Sequence, residues 1–224
     1  MSRILLIDSS GPVSSVGIAV DGVATQKIFS RPESQFSIHA AISRLAEEGL
    51  FSLQEIEAIA VTSGPGSYTG LRVGMAAAKG LCYSLGKKLI LANTLETMAR
   101  GLTLEKNDSA DLLCPMIDAR RDEVFLAIFD RHFKMILPPQ PMILKEDSLH
   151  EWLEKHEILL TGSGAGKWAS YSSQKVRISN REPDMLQGLA TLAAEQYSAG
   201  NSADLMYSEP NYLKEFYNPV GRNL

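Results

Sequence analysis

The sequence predicts an α/β protein of two lobes, each built in the order β-β-β-α-β-α. Three observations carry that prediction. Short apolar, β-branched runs alternate with longer stretches of helical periodicity. A polar, turn-rich stretch at 103–111 (TLEKNDSAD) interrupts the pattern, which then restarts. The order of elements is the same on both sides, although no residue-level repeat links them. The expected lobes are therefore 1–103 and 104–224, with the last residues packing back on the first lobe. The 224 residues are 45% hydrophobic and 21% charged, a composition that supports packed cores without disulfides or metals.

In the first half, Ile4 to Asp8 is an apolar run ending in an acid and reads as a buried strand. Ser14 to Val20 follows as a second strand. Asp21 and Gly22 tolerate positive φ and supply a hairpin turn. Val23 to Ser30 returns as a third strand, which Pro32 stops. Ser34 is placed to cap a helix running to Glu48, with Ile38, Ala41, Ile42 and Leu45 on one face and Gly49 at its end. Ala58 to Thr62 reads as a central strand. A second helix, Tyr68 to Leu85, follows a Gly/Pro turn and is closed by Gly86. Lys88 to Ala92 is a strand and Thr94 to Leu102 a short helix.

In the second half, Leu112 to Asp118 and Glu123 to Phe129 read as strands around a turn at 119–122. Phe133 to Leu137 is a third, halted before Pro138 and Pro139. Asp147 to Lys155 reads as a helix with Leu149, Trp152 and Leu153 on one side. Glu157 to Thr161 is a strand leading into a glycine loop, and Asp184 to Ala199 is an amphipathic helix. A duplicated unit of this order is the plan of the RNase H-like lobes of actin, hexokinase and Hsp70, the ASKHA fold.

The bulk properties narrow the function. A formal net charge of −4 argues against broad electrostatic binding of nucleic acid by the chain itself. Cys82 and Cys114 sit in apolar runs and read as reduced core thiols. The N-terminal apolar run, Ile4 to Ile7, is too short for a signal peptide, and no run reaches the ~18 residues of a membrane span. A cytoplasmic protein is expected.

Several near-misses constrain the chemistry. Gly64, Gly66 and Gly70 in SGPGSYTGLR suggest a phosphate loop. Thr69 breaks both the P-loop spacing and the dinucleotide fingerprint. The run Thr161 to Lys167 (TGSGAGK) also misses the P-loop, because a threonine opens it. Asp8, followed by Ser9-Ser10-Gly11, is placed as in a sugar kinase to hold a metal–phosphate group, with Gly11 in the loop. The plainer alternative is a strand-end aspartate bonded to that loop. Arg120 and Arg121 lie in a turn, either solvated or facing an anion. No two of His39, His132, His150 and His156 are three or four apart, so no metal spacing is visible, and no serine-nucleophile motif fits.

The helix after the glycine run is more telling. Gly70, Gly74 and Ala78 recur every four residues, and Ala76, Ala77 and Gly80 add further small side chains. Each helical glycine costs about 1 kcal/mol against alanine, so a close approach should offset it. That approach is either to a partner helix or to the protein's own sheet. Leu71, Met75 and Leu81, with Arg72 and Lys79 beside them, form a candidate apolar contact patch.

Three segments, SGPGSYTGLRVGMAAAKGL (Ser63 to Leu81), MIDARRDEVFLAIFD (Met116 to Asp130) and EPNYLK (Glu209 to Lys214), resemble the TsaB family, formerly YeaZ, and the opening MSRILLIDSS also fits. The motifs fall in the family's order and cover nearly the whole chain. The resemblance implies a noncatalytic relative of TsaD, the subunit that transfers threonylcarbamoyl to N6 of the adenosine beside the anticodon in tRNAs reading ANN codons. It implies TsaD and TsaE as partners, a homodimer in isolation and tRNA only through the complex. It implies no intrinsic cofactor, with ATP or ADP placed at the interface with TsaD. The family's old M22 glycoprotease label rests on a His-x-x-x-His pair that this chain lacks, since Glu33 to Ala41 holds only His39. Glu33-Ser34 stands where many members carry His-Ser. The family's partner surface is its first two helices, here 34–48 and 68–85. The residues implied are Ile38, Ile42, Leu45, Tyr68, Leu71, Arg72, Gly74, Met75, Ala78 and Lys79. The alternative is an enzyme acting alone, either a kinase-like ATP-dependent transferase or an M22-like metallopeptidase.

Overall fold

The computed structural model describes residues 2–30, 37–48, 51–102, 110–171 and 174–214. Strands β1 (Arg3–Asp8), β2 (Ser15–Val20), β3 (Val23–Phe29), β4 (Ala58–Gly64) and β5 (Lys88–Asn93) form the first sheet, in the order β3-β2-β1-β4-β5. The second sheet comprises β6 (Leu112–Asp118), β7 (Glu123–Asp130), β8 (Met135–Ile143), β9 (Ile158–Thr161) and β10 (Val176–Ile178). Its order, β8-β7-β6-β9-β10, repeats the first. In each, the opening strand pairs antiparallel with the second and parallel with the fourth. This is the RNase H-like arrangement twice over. The expected hairpin turn is present, with Asp21 at φ 46 and Gly22 at φ 81.

The helices are α1 (Ile38–Glu47), α2 (Tyr68–Leu85), α3 (Thr94–Gly101), α4 (His150–Leu153) and α5 (Met185–Ser198). The repeating unit is therefore longer than predicted, β-β-β-α-β-α-β-α, because β5 and α3 belong to it. In the second lobe its middle helix is reduced to a 3-10 turn, Ala165–Ser170, and β10 is a strand of three residues that the sequence pattern did not reveal. Four other expectations change. Ser37, not Ser34, caps α1, its hydroxyl accepting from the Ala40 amide; Ser34 and Gly49 lie outside the described residues. β4 runs on past Thr62 to Gly64. β8 runs through Pro138, Pro139 and Pro141 instead of stopping before them. It can do so because it is an edge strand, where a missing N–H breaks no ladder on the open side. The helix expected from Asp147 to Lys155 is only the single turn of α4.

Both faces of the first sheet are covered, but not by the first lobe alone. On one face, Leu5, Ile7, Val16, Ile59 and Val61 pack against α1 and α2. On the other, Ile4, Leu6, Ala58, Ala60 and Ile90 pack against Leu186, Leu189, Ala190 and Ala193 of α5, which follows the second lobe in sequence. In exchange, Leu95, Met98, Ala99 and Leu102, in α3 and just after it, pack on Leu113, Ala127, Phe129 and Leu159 of the second sheet. The two exchanged helices cross closely. A methyl group built on Gly188 would overlap the Thr97 carbonyl, and one on Gly101 would overlap that of Asp184. Each lobe thus lends the other a helix.

The last described stretch returns to the first lobe. The Ala203 amide donates to the Leu89 carbonyl at 2.8 Å, and the Asn211 amide to that of Ser63 at 2.6 Å.

Candidate partner surface and interlobe cleft

Ser67 caps α2 by accepting from the Gly70 amide at 3.2 Å, and Gly86, at φ 64, terminates it in the left-handed conformation. The boundaries match the sequence expectation, but the inner face does not serve as predicted. Ile38, Ile42 and Leu45 of α1 and Leu71, Met75 and Ala78 of α2 are buried in the chain's own core. Gly74 is turned inward too. A methyl there would overlap the Ser9 hydroxyl, and one on Gly70 would overlap the Ser9 carbonyl. That hydroxyl donates to the Gly70 carbonyl at 2.8 Å. The Gly70–Gly74–Ala78 stripe therefore admits the loop after β1 and the sheet, not a partner helix.

The outward stripe of α2 is a different set: Thr69, Val73, Ala76, Gly80 and Tyr83. Their spacing of three and four places them on one face. Val73 is 53% and Tyr83 83% exposed. A side chain at Gly80 would meet nothing within 4 Å. On α1, His39, Ala40, Ser43, Arg44 and Glu47 are the exposed residues. The sequence hid this stripe because small residues occupy both faces of α2.

Tyr68, Arg72 and Lys79 instead meet the C-terminal segment. Lys79 Nζ donates to the carbonyls of Ser208, at 2.9 Å, and Met206, at 3.2 Å. Arg72 lies over the Tyr68 ring and donates from Nε to the Tyr212 hydroxyl at 3.1 Å. The Tyr68 and Tyr212 rings lie 5.0 Å apart, and Lys214 pairs with Glu123 of the second lobe. The EPNYLK motif is thus a strap joining α2 to the β6–β7 hairpin.

Between the lobes lies a cleft of ~1070 Å³, lined by Asp8 and Gly11 from the first lobe and Asp118 and Arg120 from the second. Asp8 Oδ1 accepts from the Ser10 hydroxyl, the Ser10 amide and the Thr62 hydroxyl, at 2.7, 3.1 and 2.8 Å. Burial pushes its carboxyl above the usual range, against the pull of those three hydrogen bonds. Asp118 ends β6 as Asp8 ends β1, but it is neutralised. Lys167 Nζ, from the glycine loop that resembled a P-loop, donates to it at 2.6 Å and to the Glu123 carbonyl at 2.8 Å. Lys167 and the Arg120 amide hold the Asp118 carboxyl below its usual range.

Four of the cleft's loop amides are occupied from within. Ser10 N–H bonds Asp8, Ser67 N–H bonds the Ser10 carbonyl, Asp118 N–H bonds the Ser163 hydroxyl, and Arg120 N–H bonds Asp118. These four amides are therefore not free to receive a phosphate. Among the described residues no group of three His, Cys, Asp or Glu is arranged to hold a metal ion.

Two predictions arise here. Because the folded-state pKa of Asp8 is raised from 3.8, its contribution to stability is fully present below that value and lost as pH rises through the folded-state pKa. Asp8→Asn, which keeps the Oδ1 acceptor, is expected to raise the midpoint of thermal unfolding at neutral pH, by roughly 2–4 °C per kcal/mol gained. The gain should shrink toward pH 3.5, as calorimetry at the two pH values would show. Burial also pushes the Cys82 thiol up to about 11 and that of Cys114 higher still. Neither thiol is expected to react with a thiol reagent in the native protein at pH 8, whereas both should react once denaturant is added.

Two RNase H-like lobes facing a cleft, with helices of each covering the other, define the class as a duplicated RNase H-like, ASKHA-type protein. Within that class the chain is similar along nearly its whole length to TsaB proteins. It is 29% identical over 222 residues to the tRNA threonylcarbamoyladenosine biosynthesis protein TsaB of Escherichia coli, covering 95% of this chain and 94% of that one. The TsaB of Bacillus subtilis is 28% identical over 156 residues, covering 67% and 64%. The family profile described as TsaD, tRNA N6-adenosine threonylcarbamoyltransferase, matches residues 30–137. The transferase of that name from Clostridium botulinum is 34% identical over 113 residues, covering 42% of this chain and 33% of its own. Among solved structures, YeaZ from Pseudomonas aeruginosa superposes with a TM-score of 0.76 at 22% identity, covering 95% of this chain and all of that one. The resemblance read from the three motifs is thus a whole-chain likeness in sequence and in fold.

Proposed function

We propose that this chain is the TsaB subunit of the machinery that installs threonylcarbamoyl on N6 of the adenosine beside the anticodon in tRNAs reading ANN codons. It is a noncatalytic partner that docks TsaD through the outer faces of α1 and α2. The observation that carries the docking surface is the stripe of Val73, Ala76, Gly80 and Tyr83, exposed along a helix whose other face is fully packed. Small side chains let a second helix approach closely, and Val73 and Tyr83 supply apolar area. The likeness of the first half to the transferase supports pairing of like with like, helix pair on helix pair. The same face accounts for a homodimer when the chain is alone.

TsaE joins the assembled pair, tRNA binds through the complex, and ATP or ADP sits at the interface with TsaD. The acidic character of the cleft supports placing the nucleotide at the TsaD interface and not within this chain. The proposed location is the cytoplasm; among the described residues no helix is long and apolar enough to cross a membrane.

Size-exclusion chromatography tests the pairing. The chain and TsaD from the same organism are expected to co-elute, and the chain alone to turn over no ATP. Separate elution, together with ATP hydrolysis abolished by Asp8→Ala, would favour the kinase-like alternative.

A further inference from the structure

We propose that the interlobe cleft is a binding site for a small organic ammonium compound, its cationic head on Asp8 and its apolar body between the lobes. Asp8 is only 3% exposed, yet its side chain lines the cleft. All three of its hydrogen bonds fall on Oδ1, and Oδ2 receives none from a described residue. Among the described residues no lysine, arginine or histidine pairs with it. Buried carboxylates are paired or coordinated as a rule, because an uncompensated one is costly to desolvate. Even the exposed carboxylates of the cleft are paired, the pseudo-equivalent Asp118 with Lys167 and Asp184 with Lys27. Asp8 alone of these three is left for something from outside.

A second observation points the same way. Thr94, 2% exposed, lines the same cleft, and its buried hydroxyl has no hydrogen-bond partner among the described residues. The walls around these groups include Val13, Met98, Ile117, Phe125 and Met185, which suit an apolar body. With Asp118 and Asp184 already paired to lysines, Asp8 and Glu182 are the acids set against the guanidinium of Arg120. A polyanion is therefore disfavoured and a cation favoured.

The test uses the full chain, with benzylamine as the cationic probe, benzyl alcohol as its neutral counterpart and Mg-ADP as the competitor class. Amide chemical shifts in NMR titrations report the site. Benzylamine is expected to shift residues 8–13 and 117–120, at least tenfold more tightly than benzyl alcohol. Asp8→Asn should erase that difference, and Val13→Trp, which fills the rim without touching Asp8, should block both probes. Equal binding of the amine and the alcohol would overturn the proposal. So would no shift at the cleft with either probe, unchanged discrimination in Asp8→Asn, or Mg-ADP binding there more tightly than the amine. If Asp8→Asn does not fold, the amine-to-alcohol ratio and the Val13→Trp result decide the matter.

Discussion

Ala76→Arg is expected to weaken binding of TsaD at least 100-fold while leaving the unfolding temperature of the isolated chain unchanged. Ala76 is exposed at the middle of the α2 stripe, between Val73 and Gly80. An arginine there points to water in the free protein, and surface changes of this kind stay within about 0.5 kcal/mol. In a helix–helix contact the same arginine blocks close approach and buries an unpaired charge. A 100-fold loss corresponds to roughly 3 kcal/mol, a modest demand for such a change. Gly74→Leu provides the contrast. Its side chain would run into Ser9 beneath the helix, so it should lower stability and binding together. Calorimetric titration with TsaD, alongside thermal unfolding of each variant, separates the two outcomes. Retained binding by Ala76→Arg would move the partner surface elsewhere.

The isolated fragment 1–102 is expected not to fold, although it contains the whole first sheet. Its back face is covered by α5, which brings Leu186, Leu189 and Leu192 against Ile4, Leu6 and Ile90. Burying each leucine stabilises by about 1.5–3 kcal/mol. Losing three removes roughly 5–9 kcal/mol, comparable with the ~5–15 kcal/mol that holds a whole domain together. In the same fragment α3 would expose Leu95, Met98 and Leu102, which in the full chain cover the second sheet. Circular dichroism should show no cooperative thermal transition for the fragment. Adding a peptide of residues 182–200 is expected to restore part of it. A sharp transition for the fragment alone would show that each half folds on its own.

That exchange of helices was not legible in the sequence, because periodicity reports that a helix has an apolar face and not which sheet it meets. α2 shows the same limit. The Gly/Pro turn and Gly86 mark its ends correctly, but small residues surround the helix, so the sequence leaves open whether the Gly70–Gly74–Ala78 stripe meets a partner or the chain's own sheet. β8 was missed beyond Leu137 because prolines argue against a strand, a rule that an edge position relaxes. β10, only three residues long and partly polar, gave no alternating pattern to find. At the cleft, Asp8 was singled out from its place at a strand end. What distinguishes it is that no cation among the described residues stands beside it, and that depends on residues brought together only by folding. The likeness of TGSGAGK to a P-loop resolved differently, since Lys167 serves as the counter-ion of Asp118.

The most direct measurement is reconstitution of tRNA modification from purified TsaD, TsaE, the enzyme that supplies the activated threonylcarbamoyl group, and tRNA. Three arms are compared: no added chain, wild-type chain, and Ala76→Arg. The predicted result is modification only with the wild-type chain, the variant behaving as if the chain were absent. Full modification without the chain, or with Ala76→Arg, would contradict a TsaB subunit that works by docking TsaD through the outer face of α2.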